Sequence, residues 1–205
     1  MLGIINYGAG NLRSLCNAVD WVGGRWTVID APAQMDTVSA VVLPGVGAFI
    51  PAMERLRAAG FVDALRDWAL VRKRPLIGVC LGMQMLADRS TEGGECEGLG
   101  LIPGTVERFA PAPGLRIPHM GWNRVERTRP SLLWGEMETA TCYFVHSYHF
   151  QVAAGAAEAV VGRAEHGDSF VAMVEMDNVM GTQFHPEKSQ KDGLAILSNF
   201  VKAVA

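Results

Sequence analysis

The fold class of this chain follows from residues 75–84, which read Pro75-Leu76-Ile77-Gly78-Val79-Cys80-Leu81-Gly82-Met83-Gln84. An apolar run typical of a buried strand leads into Cys80, and a helical pattern begins there. Gly-x-nucleophile-x-Gly at such a junction is the pattern of a nucleophile elbow, with sulfur replacing a serine hydroxyl. The pattern predicts that Cys80 lies above a sheet at a helix N-terminus, where free N–H groups favour a thiolate. The alternative is a buried cysteine whose neighbouring glycines serve packing alone.

The first half of the chain alternates strand-like runs with helical patterns. Residues 2–7, 26–29 and 40–43 are apolar and strand-like, and helical stripes run from Leu12 to Val22 and from Phe61 to Ala69. Alternation of this kind indicates parallel strands joined by crossover helices, and hence an α/β sheet.

The second half has a different pattern. From Leu101 to about Gly181 the apolar runs are short and broken by Gly and Pro, which predicts hairpins or an antiparallel extension. A last helical stripe runs from Leu194 to Val204. We therefore predict one α/β domain over residues 1–205, with a central, mostly parallel sheet flanked by helices and a β-rich antiparallel extension in the second half.

Composition excludes several classes of protein. A length of 205 residues with 49% hydrophobic side chains fits one domain with a substantial core. A net charge of −3 argues against a nucleic-acid binder, and no apolar run approaches the roughly 20 residues of a membrane helix. The N-terminus has no basic leader or cleavage site, and the four cysteines lack C-x-x-C spacing. We expect a cytoplasmic protein with free thiols.

A second informative stretch is Gly181-Thr182-Gln183-Phe184-His185-Pro186-Glu187. A cysteine nucleophile needs a base that takes its proton and returns it to the departing group, and histidine suits neutral pH. The histidine needs an acceptor that fixes its tautomer, and Glu187 is close enough in an extended segment to lie beside the ring. A surface His-Pro-Glu turn is the alternative for this tripeptide alone.

A third stretch, Leu43-Pro44-Gly45-Val46-Gly47-Ala48-Phe49, is a glycine loop after a buried strand. Its backbone N–H groups could bind the oxyanion of a tetrahedral intermediate, although an ordinary strand-to-helix turn explains the loop equally well. It is not a phosphate loop, because no Gly-Lys-Ser/Thr follows.

Four further histidines could suggest a metal site, but they lack carboxylate or cysteine partners at ligand spacing. They are His119, His146, His149 and His166. We predict neither a metal nor an organic cofactor.

Together these stretches resemble the class I, or triad-type, glutamine amidotransferase family. The likeness runs nearly end to end and is specific to one branch, the glutaminase subunits that serve histidine biosynthesis. Val46 is diagnostic, since most relatives in the wider family have Pro-Gly-Gly at that point, and His149 departs from the aromatic residue that is common there. The further matching segments are 6–11, 98–104, 118–123, 144–148 and 183–190.

The resemblance implies roles for matching positions. Cys80 is expected to be the nucleophile, His185 the acid and base, and Glu187 the residue that orients it. The resemblance also implies an oxyanion hole from the Leu81 amide and the Val46-Gly47 loop. It further implies glutamine contacts from Gln84 and the His146-Ser147-Tyr148 backbone, and a partner-facing surface at Asn11, Trp122 and Lys188.

The implied reaction is the hydrolysis of glutamine to glutamate and ammonia, with a partner that uses the ammonia. The resemblance names that partner as a (β/α)8-barrel cyclase subunit. Three alternatives stay open: an amidotransferase for vitamin B6 synthesis, a stand-alone cysteine hydrolase, and a catalytically silent docking module. The first is expected to read Pro-Gly-Gly where this chain has Val46.

Overall fold

The computed structural model describes residues 1–204, in which there are thirteen strands and five α-helices. The strands are β1 Leu2–Ile5, β2 Trp26–Ile29, β3 Ala40–Gly45, β4 Leu76–Cys80, β5 Arg89–Ser90, β6 Cys96–Glu97, β7 Gly104–Arg108, β8 His119–Arg127, β9 Thr139–His146, β10 Tyr148–Val152, β11 Val160–His166, β12 Asp168–Met176 and β13 Val179–Thr182. The helices are α1 Leu12–Trp21, α2 Phe49–Ala58, α3 Phe61–Arg66, α4 Leu81–Gln84 and α5 Gln190–Val204.

The main sheet has nine strands in the order β2-β1-β3-β4-β13-β12-β11-β8-β9. The first five strands of this order pair in parallel and the remaining pairs are antiparallel. This confirms the predicted α/β domain with a parallel centre and an antiparallel extension. The extension continues the same sheet, while a separate four-stranded sheet, β10-β7-β5-β6, packs beside it.

The core has two layers, one on each face of the main sheet. Alternate residues of β3 show this: Val41 and Leu43 belong to the cluster that contains α2 and α3, whereas Ala40 and Val42 belong to the cluster that contains α1 and α5. Since successive side chains of a strand point to opposite faces, helices cover both sides of the sheet. The ends of its central strands are thereby held between two packed layers.

The helix that follows Cys80 is one turn long. The carbonyls of Met85, Leu86 and Ala87 accept hydrogen bonds from the amides of residues 99–102 at 2.8 to 3.1 Å. Because these carbonyls are used by a distant segment, the helix ends at Gln84. The second helical stripe also differs from a single helix, since α3 passes into a π-turn at Asp67–Val71. No helix among residues 1–204 is long and apolar enough to cross a membrane.

Candidate active site

Cys80 ends the central strand β4, between β3 and β13, and has φ 56° and ψ −113°. A positive φ is rare for a residue with a side chain, and such strain is concentrated at functional sites. The glycines around it are required by space. A β-carbon on Gly82 would lie 1.9 Å from the Leu43 carbonyl oxygen, and one on Gly78 would lie 2.5 Å from the Gly82 oxygen. The turn is therefore a nucleophile elbow in its geometry as well as its sequence.

His185 lies beside this cysteine and is held from several directions. Its backbone N–H donates to the Tyr143 carbonyl at 3.1 Å, and its carbonyl accepts from the Ser189 hydroxyl at 2.6 Å. Its Nδ1 lies 2.8 Å from Glu187 Oε1, and both side chains are almost fully buried. Because the carboxylate accepts at Nδ1, Nε2 is left for the sulfur of Cys80.

The electrostatics favour a charged imidazole. Burial alone would lower the pKa of His185, but hydrogen bonds to the side chains of Cys80 and Glu187 outweigh it and raise the pKa to about 10. At neutral pH His185 is therefore an imidazolium between a sulfur and a carboxylate. The one-turn helix α4 contributes less dipole than a longer helix would, so the imidazolium is the main positive charge beside Cys80.

A cavity of about 360 Å³ opens at Cys80 and His185. Its volume suits a small polar metabolite such as a single amino acid. All seven residues predicted to bind substrate line this cavity. They are Val46, Gly47, Leu81, Gln84, His146, Ser147 and Tyr148. The three predicted sequence stretches therefore meet at one place.

Gln84 links two walls of this cavity. Its amide Nε2 donates to the Tyr148 carbonyl at 2.8 Å and to Gln183 Oε1 at 2.9 Å. The amide of Gln183 in turn points to the Cys80 sulfur, with Nε2 4.0 Å from Sγ. Sequence reasoning missed Gln183, although it lies two residues before His185 in the segment that was singled out. An amide side chain so close to the predicted base was the available signal.

Glu92 lines the cavity and was also missed by sequence reasoning. Its Oε2 accepts from the N–H of Phe49, the first residue of α2, at 2.9 Å. This contact fixes a carboxylate on the cavity wall, within the loop Glu92-Gly93-Gly94. A single acidic residue followed by two glycines carries no distinctive spacing, so sequence gave little reason to select it.

The three residues predicted to face a partner lie on separate segments of the chain near the triad. Asn11 accepts from the Ser14 N–H at the start of α1 and, with Glu187, lines a small cleft. Trp122 is half-exposed, and its ring centroid lies 6.0 Å from that of Tyr143. Lys188 follows Glu187 directly in the short 3-10 turn. Asn11 and Lys188 therefore lie beside the triad, while Trp122 lies beside Tyr143, whose carbonyl accepts from the His185 N–H.

The four remaining histidines also come together, around Phe109 and Phe170. Among residues 1–204, no group of three or more His, Cys, Asp or Glu side chains is placed to hold a metal ion. The four side chains pack against one another and against the two phenylalanine rings.

Fold and site define a class: an α/β protein with a cysteine nucleophile elbow and a buried Cys-His-Glu set beside a small open cavity. The model of the family "Glutamine amidotransferase class-I" matches residues 4–204. This chain belongs to the class I glutamine amidotransferase family.

Two curated relatives have the name "Imidazole glycerol phosphate synthase subunit HisH". The one from Synechococcus sp. (strain JA-3-3Ab) is 47% identical and covers 100% of this chain and 94% of the relative. The one from Desulfitobacterium hafniense (strain DSM 10664 / DCB-2) is 48% identical and covers 100% and 95%. A solved structure titled "Crystal structure of glutamine amidotransferase" superposes with a TM-score of 0.77 over 99% of each chain; at 20% identity it supports the fold alone.

Proposed function

We propose that this protein is the glutaminase subunit of imidazole glycerol phosphate synthase, which hydrolyses glutamine and passes ammonia to a (β/α)8-barrel cyclase subunit. The observation that carries the proposal is the buried His185–Glu187 contact of 2.8 Å beside Cys80, at the wall of the cavity. The names of relatives that are 47% and 48% identical over the full chain support the particular pathway.

The chemistry follows from the positions of three side chains. The Cys80 thiolate attacks the side-chain amide carbon of glutamine and forms a C–S bond, and the carbonyl oxygen becomes an oxyanion. His185 donates its proton to the amide nitrogen, and the C–N bond breaks. Ammonia departs, and a γ-glutamyl thioester remains on Cys80. His185 then takes a proton from water, which attacks the thioester, and the C–S bond breaks to give glutamate. Glu187 keeps the imidazole in the required tautomer and stabilises its cation.

The cavity walls supply substrate contacts. The Leu81 N–H belongs to the first turn of α4, where amides have no partner within the helix, and we assign it as one donor to the oxyanion. Gln84 and the backbone of residues 146–148 hold the glutamine head group. Glu92 offers a fixed carboxylate to its α-ammonium group, a role that makes glutamine preferred over simple amides.

The Val46-Gly47 loop is the proposed gate. Gly47 has φ +90°, which a residue with a side chain rarely adopts, and no atom lies within 4 Å of the position of its missing β-carbon. The peptide before it can therefore turn between presenting a carbonyl and presenting an N–H to the oxyanion. Partner and acceptor binding favour the N–H arrangement. This control is useful because ammonia released into neutral water becomes ammonium, which is no nucleophile.

A glutaminase assay with and without the cyclase subunit and its nucleotide substrate tests this proposal. Restoring one oxyanion donor is worth about 10²–10³ in rate, so glutamate release should rise by at least about 10²-fold with the loaded partner. Equal rates in both conditions would contradict the gate. If the isolated chain were in addition already fully active, the result would favour the stand-alone cysteine hydrolase.

Gly47→Ala provides a variant for the same assay, with Gly23→Ala as its matched control. Gly23 also has positive φ, +77°, and open space around its β-carbon position, but it lies in the turn after α1. Both variants carry similar backbone strain, of roughly 1–2 kcal/mol. Only Gly47→Ala should lose the stimulation by the partner. Unchanged stimulation in Gly47→Ala would remove this loop from the account.

A further inference from the structure

Two of the clustered histidines form a chain of hydrogen bonds that ends at the glutamine cavity. His146 Nδ1 lies 2.8 Å from the Tyr148 carbonyl oxygen, and His146 Nε2 lies 3.0 Å from His119 Nδ1. His119 Nε2 lies 3.1 Å from Asn123 Nδ2. Since Tyr148 O also accepts from Gln84, the chain joins strand β8 to the amide pair that reaches the Cys80 sulfur.

Both ends of this chain have fixed polarity. The Tyr148 carbonyl can only accept, so His146 Nδ1 must carry a hydrogen. At the other end, Asn123 Oδ1 accepts from the Arg124 N–H at 2.8 Å and Asn123 Nδ2 donates to the Glu165 carbonyl at 2.7 Å. The second hydrogen of that Nδ2 therefore points to His119 Nε2, which must accept.

These two ends leave one arrangement of protons that satisfies every contact. His119 carries its hydrogen on Nδ1 and donates it to His146 Nε2, and both rings are neutral. An added proton on either histidine would place two N–H donors opposite each other. A hydrogen moved to His119 Nε2 would face the Asn123 amide and leave two bare nitrogens opposite each other at 3.0 Å. Buried polar contacts of that kind are costly.

The surroundings keep the pair neutral. The rings around it are Phe109, Phe144 and Phe170, and the titratable groups that face it are His149 and His166, neither of which offers negative charge. Burial lowers the pKa of His119 to about 4. Burial is also the main cause of the lowered pKa of His146, which is about 3. Protonation is therefore excluded at physiological pH.

We propose that His119 is a positioning residue for the glutamine cavity: it donates to His146 Nε2 and so holds the ring whose Nδ1–H meets the Tyr148 carbonyl beside Gln84. The inference rests on the proposed glutaminase function, because it assigns the 146–148 turn to substrate binding. Without the His119 donor, His146 keeps its Nδ1–H toward Tyr148, but its Nε2 has no partner and the ring is held from one side only. The turn that contacts the glutamine head group is then less firmly positioned.

Nitrogen-15 NMR of the full chain tests the polarity directly. The imidazole nitrogens of both His119 and His146 should show the neutral Nδ1–H tautomer from about pH 5.5 to pH 8. In His119→Leu, which has no donor, the Nε2 resonance of His146 should move toward that of an imidazole nitrogen without a hydrogen bond, while Nδ1 keeps its hydrogen. In His119→Asn, which retains an N–H donor near the position of Nδ1, the His146 Nε2 resonance should stay near its value in the unchanged chain. An Nε2–H tautomer or an imidazolium at either position in the unchanged chain overturns the proposal.

Calorimetric titration with glutamine tests the consequence, in a Cys80→Ala background that cannot turn glutamine over. Loss of one hydrogen bond of about 0.5–1.5 kcal/mol corresponds to a dissociation constant raised about 2- to 10-fold in His119→Leu. His119→Asn should restore most of the affinity, which general destabilisation would not produce. Equal affinity in all three proteins overturns the positioning role. Absence of glutamine binding in the Cys80→Ala parent would instead count against the proposed function. The nitrogen-15 spectra would then still test the arrangement of protons on His119 and His146.

Discussion

The side chains of Glu187 and His185 are held in place in different ways. Glu187 is 4% exposed at its side chain and shares its only described hydrogen bond with His185. His185 itself is fixed by its backbone contacts to Tyr143 and Ser189. A carboxylate so isolated from water acts mainly on the imidazole next to it, which makes it an orienting group.

Glu187→Gln should cut the turnover of glutamine strongly, but less completely than His185→Ala. The change removes the charged partner of the imidazolium and permits the wrong tautomer, an effect of about 10⁴ for the corresponding carboxylate of a serine protease. Steady-state kcat with the partner present measures it. Wild-type turnover in Glu187→Gln would show that this carboxylate does not orient the histidine.

At the scale of elements, the elbow requires that α4 touch β3. Gly82 lies against the Leu43 carbonyl with no room for a β-carbon, and a β-carbon on Gly45 would lie only 2.7 Å from the Gly82 amide nitrogen. The sharp turn at Cys80 is therefore built by two strands and one helical turn together, and not by the elbow segment alone.

Gly82→Ala should destabilise the protein by at least about 3 kcal/mol, because the added carbon overlaps backbone that cannot move freely. Gly155→Ala is the matched control, since nothing lies within 4 Å of that position, and it should change stability by no more than about 0.5 kcal/mol. Urea unfolding of both variants measures the difference. Similar midpoints for the two would contradict the close approach of α4 and β3.

Sequence patterns predicted the elements whose signal is local. The runs of β1 to β4, the stripe of α5 and the elbow glycines were all readable, because burial on a sheet or helix face imposes its own periodicity. Two features depended on distant contacts and were not predicted. The helix after Cys80 ends after one turn because residues 99–102 use its next carbonyls, and the second sheet forms because β10 pairs with β7.

The site shows the same division. Cys80, His185 and Glu187 were found because catalysis requires these residue types in short motifs. Glu92 reaches the cavity, and Gln183 reaches the Cys80 sulfur, only through tertiary contacts with the Phe49 amide and with Gln84. The histidine cluster was not predicted, since its four members are spread from residue 119 to residue 166 and carry no ligand spacing.

At the scale of the whole molecule, buried histidines make stability depend on pH. Burial lowers the folded-state pKa of His146 to about 3, against 6.5 when unfolded. Between these values the unfolded chain binds the extra proton, so the free energy of unfolding falls as pH drops from about 6.5. The slope is at most about 1.4 kcal/mol per pH unit for this group.

His146→Asn should therefore show a shallower loss of stability between about pH 6.5 and pH 4 than the unchanged chain. The comparison uses the slope of the unfolding free energy against pH, so a constant loss from the substitution itself does not affect it. Identical slopes in the two proteins would mean that His146 has the same pKa in the folded and unfolded states and would contradict its burial as a neutral ring.

The central claim is that Cys80 carries the γ-glutamyl group during glutamine hydrolysis. The most direct measurement is glutamate release by folded Cys80→Ala protein with the loaded cyclase partner, beside Cys96→Ala as a matched control. Cys96 lies in the short strand β6 outside the cavity, and its sulfur contacts only the Glu97 carbonyl among the described hydrogen bonds. The account predicts that Cys80→Ala releases no glutamate above the enzyme-free rate while Cys96→Ala retains full activity. Measurable hydrolysis by Cys80→Ala would contradict it.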